Sequence, residues 1–244
     1  EVARADLERV VPLPYDEALR NPLKGFTTRG LGDHEWATLG HVYIRWNDIE
    51  SDQSDGVDKI QRFWDNRVSG LPSRNVKAIP RVYLDWPGEG PFWPADMTPG
   101  DYTSEQFRSR VVRLIERLGQ VWDDDPRVAF VELGIFGKWG EHHSPTPTPA
   151  MQRLVGKALA EAFKDKRVSV RHAWQEFTQF GFGEYWDSWA HYQQVYAHGK
   201  PLHELNVKTG RWRTNYIGGE TAYDWGMWRT QPGDDATDSV KDAA

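Results

Sequence analysis

The chain predicts an α/β fold of the (β/α)8 TIM-barrel kind. Three observations carry that expectation. Short β-rich runs alternate with amphipathic helical stretches, the signature of βα units on a parallel sheet. The length, 244 residues, is close to the roughly 250 that one such barrel needs. Carboxylates, arginines and tryptophans recur at the C-terminal ends of the β-rich runs, the end at which barrels of this type carry their chemistry.

The elements follow in order. Pro22–Phe26 reads as a first short strand and His41–Trp46 as a second. Val57, Ile60, Trp64 and Val68 recur at helical spacing. Val76–Trp86 is a third strand, with Pro80 placed awkwardly inside it because proline cannot donate to a ladder. Phe107, Val111, Leu114, Ile115 and Leu118 form one face of a helix, with Thr103 and Gln106 as its capping box and Gly119 as its stop. Val128–Phe136 is a buried fourth strand. Thr148 and Pro149 open a helix whose face is Met151, Leu154, Val155, Ala158, Leu159 and Ala162. Val168–Trp174, Tyr185–Ala190 and Asn215–Glu220 supply the fifth, sixth and seventh strands.

Seven strands leave a barrel one short of closure. The tail Pro232–Ala244 is acidic and rich in small residues, unlike a final strand. Either a strand near Val10–Leu13 completes the barrel, or residues 1–244 are a single barrel domain, incomplete at its C-terminus, from a longer chain. The second reading is the one expected here.

Composition narrows the function. Thirty Lys and Arg against 36 Asp and Glu give a net charge of −6, without the basic surplus of nucleic-acid binders. No apolar run reaches the roughly 20 residues of a membrane span. The absence of cysteine excludes disulfides, thiolate metal sites and cysteine nucleophiles. Neither a phosphate-binding glycine loop nor a nucleophile elbow around serine is present, and no cofactor is expected. Adjacent His142 and His143 point in different directions along a chain, so no metal site is read from them. No signal peptide stands at Glu1; it has been removed or never existed. The 13 tryptophans divide between core filling and flat faces on which sugar rings can stack.

The strand ends then define a candidate sugar pocket. The second strand brings Arg45 and Trp46, the third Asp85 and Trp86, the fourth Trp139, Glu141 and His142, the fifth Arg171 and Trp174. The sixth brings Asp187 and His191, and the seventh Glu220, Tyr223 and Trp225. Glycoside hydrolysis needs one carboxylic acid to protonate the leaving oxygen and a second carboxylate to attack the sugar or activate water. Glu141, after a glycine-rich turn, and Glu220, after Gly218 and Gly219, are the candidate pair. Each could instead be a helix cap. Glu132 is the rival at the fourth strand; its apolar surroundings suit a buried partner of arginine equally well. Arginines 45, 81 and 171 suit either a nucleophile's partner or a strand-bridging role.

The ordered pieces NPLKGF (21–26), YIRWNDIE (43–50), PRVYLDW (80–86), LGIFGKWGEHH (133–143), VRHAW (170–174), DSWAH (187–191) and IGGE (217–220) resemble a family of bacterial and fungal glycosidase-like TIM barrels, known as a domain of unknown function and often followed by a β-sandwich. The resemblance runs from about Asn21 to Trp225. It implies a relation to retaining glycosidases with acid/base after strand four and nucleophile after strand seven, which would make Glu141 the acid/base and Glu220 the nucleophile. The chain departs from many of those relatives in lacking an Asn-Glu pair at the acid/base.

The expected function is therefore hydrolysis of an oligo- or polysaccharide by two carboxylates with retention, by a protein placed extracellularly or in a periplasm. Two alternatives stay open. A non-catalytic carbohydrate-binding barrel would keep the tryptophans without a close carboxylate pair. A lyase or other sugar-processing enzyme would use His191 or Tyr223 as base.

Overall fold

The computed structural model describes residues 23, 25, 27–32, 35–187 and 199–220. Seven parallel strands form one sheet: β1 (Thr27–Arg29), β2 (Leu39–Arg45), β3 (Lys77–Tyr83), β4 (Val131–Glu132), β5 (Val168–Val170), β6 (Gly183–Tyr185) and β7 (Ile217–Gly218). Their spatial order is their chain order. That order belongs to a barrel; a doubly wound sheet reverses direction partway along. The first expected strand, 22–26, lies mostly outside the described residues, and β1 starts just after it.

The sheet is curled. Neighbouring strands lie about 4.8 Å apart, so β4 and β7 would be about 14 Å apart in a flat sheet. Yet Tyr216, beside β7, donates its hydroxyl to Glu132 of β4 at 3.2 Å. Its ring also stacks on Phe130 with centroids 4.3 Å apart. The Arg81 guanidinium on β3 likewise lies 4.2 Å from the ring centroid of Tyr185 on β6. Among the described residues β1 and β7 are the sheet's two edges. Whether an eighth strand joins them falls outside the described residues.

Four α-helices of ten residues or more pack outside among the described residues. In α1 (Val57–Val68) the expected Ile60, Trp64 and Val68 are buried. In α2 (Glu105–Trp122) Ser104 is the cap, its hydroxyl accepting from the Phe107 amide. The expected roles of Thr103 and Gly119 are thereby corrected. Gly119 lies inside α2, where a β-carbon would stand 2.5 Å from the Ala162 carbonyl oxygen; its work is close approach to the next helix. That helix, α3 (Pro149–Ala162), begins as expected, with Thr148 accepting from the Met151 amide. The fourth, α4 (Lys200–Thr209), ends on left-handed Gly210 and was not anticipated, because Leu202 is its one buried residue.

Pro80 does lie in mid-strand. Ala78 and Val82 both bond toward β4: the Ala78 amide donates to Arg127 and the Val82 carbonyl accepts from Ile135. Alternation aims the Pro80 nitrogen the same way. Opposite it the partner chain carries one extra residue, since Ala78 pairs with Val128 but Arg81 with Glu132. This bulge falls where no N–H is available to bond. It also shortens the expected strand 128–136 to a two-residue ladder.

Pair register fixes which side chains enter the barrel. Leu39, His41, Tyr43 and Arg45 of β2 share a face with Ile79, Arg81 and Tyr83 of β3. Arg81, Glu132, Ser169 and Gly183 continue it around the sheet. Two residues on, the same face carries Arg171, Tyr185 and Gly218, and then Asp187 and Glu220. Leu39, Ile79 and Ala129 form an apolar floor, and the polar residues stand above it.

Candidate functional site

Directly above the floor sits a closed ionic layer. Glu132 is 5% exposed and Arg81 is 2% exposed. Arg81 donates to Glu132 from Nε at 2.9 Å and pairs through its second amino group at 2.8 Å. His41 Nε2 lies 2.7 Å from the same carboxylate oxygen, and Tyr216 takes the other. Burial alone would push the Glu132 carboxyl up. The charges and hydrogen bonds of Arg81 and His41 outweigh it and hold Glu132 down to about 2. Glu132 is thus a buried partner of arginine, the alternative its apolar setting allowed, and it is saturated by that role.

The next level is the mouth. Glu141 follows β4 on a loop of unusual backbone. Ile135, Trp139, His142 and Ser144 have φ between 55° and 61° there, alongside left-handed Gly137 and Gly140. A β-branched residue in this region is strained. Ile135 is held there because it is buried and its amide bonds the Val82 carbonyl. At Gly137 a β-carbon would stand 2.0 Å from the His143 carbonyl oxygen, so only glycine closes this loop. The loop delivers Glu141 to the mouth with His143 Nε2 at 3.1 Å and Arg171 at 3.9 Å from one carboxylate oxygen. Arg171 in turn forms an ion pair with Asp187 and lies over the Trp186 ring.

Glu220 leaves β7 on the same inward face. It is exposed to solvent at the mouth yet has protein densely around it. That surrounding pushes its carboxyl up, and the negative charges of Asp187 and then Glu141 add to the push; Arg81 and His41 pull it down. Glu220 therefore lies within the fields of residues from β2, β3, β6 and the β4 loop. The carboxylates of Glu141, Asp187 and Glu220 converge on one end of the barrel.

Several expected contacts need correction. Trp46 is fully buried, packs on Phe107 and donates to Glu50 at 3.0 Å. It belongs to the helix–strand layer, because a single helical turn, Trp46–Ile49, starts where β2 was expected to continue. His142 is also fully buried, its Nε2 2.9 Å from the Leu133 carbonyl oxygen. Burial drives its pKa well down, so the ring is neutral, and it supports the loop from beneath. Asp85 spends both carboxylate oxygens internally, on Trp93 at 3.2 Å and the Tyr102 hydroxyl at 2.5 Å.

The other expected residues stand as follows. Trp86, Trp139 and Trp174 are half-buried at strand ends, with Trp86 edge-on to Tyr43 and Tyr83 and Trp174 against Trp186. Arg45 bonds the Tyr83 hydroxyl and Glu89. His191, Tyr223 and Trp225 lie outside the described residues. Tyr83 and His143, read from the sequence as strand-end residues, stand at the mouth too, and the structure adds Tyr43. The alternating run HVYIR held the signal for Tyr43, since its period-two pattern already put His41, Tyr43 and Arg45 on one face.

A cavity of about 700 Å³ lies beside this mouth, between Thr146–Pro149 and Gln175–Gln179. Glu141, Asp187 and Glu220 do not line it. Its buried Gln152 is already bonded to Pro147, Gln175 and Glu176. The converging carboxylates and their aromatic walls are the better site. Among the described residues no three His, Asp or Glu gather to hold a metal ion, and no helix is long and apolar enough to cross a membrane.

No family model matches the chain and no curated protein matches it. Solved structures do. The endoglucanase Cel5A of Pseudomonas stutzeri is 12% identical with a TM-score of 0.53, over 86% of this chain and 68% of that one. The exo-β-1,4-mannosidase Op5Man5 of Opitutaceae bacterium strain TAV5 is 15% identical with a TM-score of 0.46, over 56% of this chain and 26% of its own. Endo-glycoceramidase II of a Rhodococcus species is 15% identical with a TM-score of 0.43, over 55% and 40%. The chain thus spans less than half the length of the last two. With the strand order and the curl of the sheet, the likeness to the endoglucanase establishes the architecture: an α/β fold with seven parallel strands in barrel order, similar to that of glycoside hydrolases.

Proposed function

We propose that this chain is the catalytic barrel of a glycoside hydrolase that cleaves an oligo- or polysaccharide with Glu141 and Glu220. One observation carries the reading. Glu141 on the β4 loop and Glu220 at the end of β7 both stand at the C-terminal end of the barrel, where the charge of Glu141 acts on the Glu220 carboxyl, beside the half-buried faces of Trp86, Trp139 and Trp174. In the retaining form of the reaction Glu220 attacks the anomeric carbon. Glu141 protonates the departing oxygen and then takes a proton from water. Burial and the charges of Asp187 and Glu141 leave the Glu220 carboxyl raised, while Arg81 and His41 oppose that rise and favour the ionised form that attack requires. A polymeric substrate also fits a protein working outside the cytoplasm.

The test is a screen of aryl glycosides and polysaccharides, read by reducing-end release, with the product anomer followed by NMR. Retention, loss of turnover in Glu220→Gln, and partial rescue of Glu141→Gln by activated aryl leaving groups are expected. Near wild-type activity of both variants on a cleaved substrate would move the chemistry elsewhere, to Asp187 first. Binding of a polysaccharide without turnover would turn the reading into one of a non-catalytic sugar-binding barrel.

A further inference from the structure

The cavity beside the mouth lies between two short segments, 146–149 after the β4 loop and 175–179 after β5. One buried side chain ties them together. Gln152 of α3 is 2% exposed. Its amide nitrogen donates to the Pro147 carbonyl at 2.9 Å and to Gln175 Oε1 at 2.6 Å. Its amide oxygen accepts from the Glu176 main-chain N–H at 3.2 Å. The two walls are thus held at a set separation instead of closing on each other.

The same bonds decide what the walls present. A main-chain carbonyl only accepts and a main-chain N–H only donates, so Pro147 and Glu176 leave the Gln152 amide one orientation. Gln175 must then turn its oxygen to Gln152. Its NH2 group is left as a fixed donor without a partner among the described residues. Gln179 obeys the same rule in the opposite sense. Its Nε2 donates to the Glu176 carbonyl at 2.9 Å, and its amide oxygen is left as an acceptor without a partner among the described residues. Glu176, the charged residue of the lining, is paired with Arg153 at 3.0 Å. Pro147 and Pro149 add apolar faces.

A fixed donor and a fixed acceptor in one charge-balanced cavity suit a group that both accepts and donates, and a hydroxyl is that group. An anion would meet the Gln179 oxygen, and a cation the Gln175 NH2. The volume of about 700 Å³ is in the range of small-molecule sites. Trp174 at the mouth directly precedes Gln175, and His143 stands shortly before Thr146, so the cavity continues the mouth outward. We propose that it is a second sugar-binding site, for neutral units of a polysaccharide chain, in which Gln175 and Gln179 read hydroxyls and Gln152 holds both walls in place. The choice of a sugar rests on the proposed function; the neutrality of the ligand does not.

The experiment follows the two amides directly. ¹⁵N-labelled protein carrying Glu220→Gln, so that nothing is cleaved, is titrated with cellohexaose, mannohexaose and xylohexaose, and with oligogalacturonate as the charged control. The side-chain NH2 signals of Gln175 and Gln179 are each assigned by their loss on substitution. At least one neutral sugar is expected to shift both signals to saturation, and oligogalacturonate to leave them in place. Gln175→Glu still accepts from Gln152 but turns the outward donor into a charged acceptor. It is expected to weaken this binding about tenfold or more at unchanged Tm. Gln179→Ala, on an exposed side chain, serves the same end should Gln175→Glu fail to fold. Signals that stay fixed up to about 10 mM of every neutral sugar, or that move as far with oligogalacturonate, overturn the proposal, and so does wild-type affinity in the folded variants. Saturating shifts without turnover in the substrate screen would sink hydrolysis and leave this site standing. Turnover with fixed signals would do the reverse.

Discussion

Gly219 lies so close to Trp186 that a β-carbon on it would stand 1.5 Å from the Trp186 carbonyl oxygen. The same two chain segments are already tied, because the Trp186 amide donates to the Gly218 carbonyl at 2.9 Å. Asp187 and Glu220 follow directly on the two sides of this contact. Gly219→Ala should therefore force β6 and β7 apart and also strain a backbone with φ of 144°. A loss of about 1–3 kcal/mol is expected, seen as a fall of several degrees in Tm, together with a shift in the Glu220 carboxyl midpoint. A variant that melts like the wild type would show that the close approach relaxes freely.

The Glu132–Arg81 pair should dominate acid stability. Glu132 titrates at about 2 in the folded chain against an ordinary 4.5. Its stabilising effect is fully present above about pH 4.5 and is lost as pH falls through about 2. Glu132→Ala leaves a buried guanidinium without its carboxylate and is expected to cost about 3–5 kcal/mol. Urea unfolding between pH 2 and 5 measures both effects. A pH dependence in Glu132→Gln as steep as that of the wild type would contradict the assignment.

Glu184 makes the opposite demand. It faces outward from β6 and is buried under α4, where Asn206 donates to one carboxyl oxygen and the other has no hydrogen-bond partner among the described residues. Burial, opposed by that bond and by Arg211, pushes its pKa up to about 8. With a folded pKa above the ordinary 4.5, it supports the fold fully below about pH 4.5, and the support fades as pH rises through about 8. The loss is on the order of 5 kcal/mol at most. Glu184→Gln is expected to flatten this decline and to be the more stable protein at pH 9, as read by thermal melts across that range.

Trp46 and Trp86 should separate cleanly. Trp46→Ala empties a core position and is expected to cost about 3–5 kcal/mol while the mouth keeps its faces. Trp86→Ala should melt closer to wild type and weaken retention in polysaccharide gels. Equal loss of sugar retention from both would place Trp46 at the mouth after all.

The difference between these two tryptophans shows where the sequence was legible. Periodicity found α1 and α3 to within a residue, because each buries a continuous apolar stripe. It missed α4, which buries little. The inward face of β2 was readable from HVYIR alone, but Trp46 was misassigned because a strand end and the first turn of a helix look alike in sequence. Pro80 was read as a defect; it is accommodated by a bulge on a strand about 50 residues away, which no local pattern reveals. Glu141 and Glu220 could be picked from their glycine-rich approaches. The tie from Glu132 through Arg81 to Tyr43 could not, since it joins three strands through side chains alone.

Asp85 accepts from the indole of Trp93 and the hydroxyl of Tyr102, and its main-chain carbonyl takes the amide of Trp139 at 2.8 Å. Tyr102 in turn accepts from the Gly137 amide at 3.3 Å. The segments after β3 and β4 are thus stapled to each other near the wall of the mouth. Amide protons of Gly137 and Trp139 should then exchange with solvent through one shared opening, at one common rate, and slowly. A wall that opens only as a unit does not fold down over what enters. In the proposed enzyme this wall should meet a sugar already shaped, so that this side of the mouth discriminates by steric rejection on arrival.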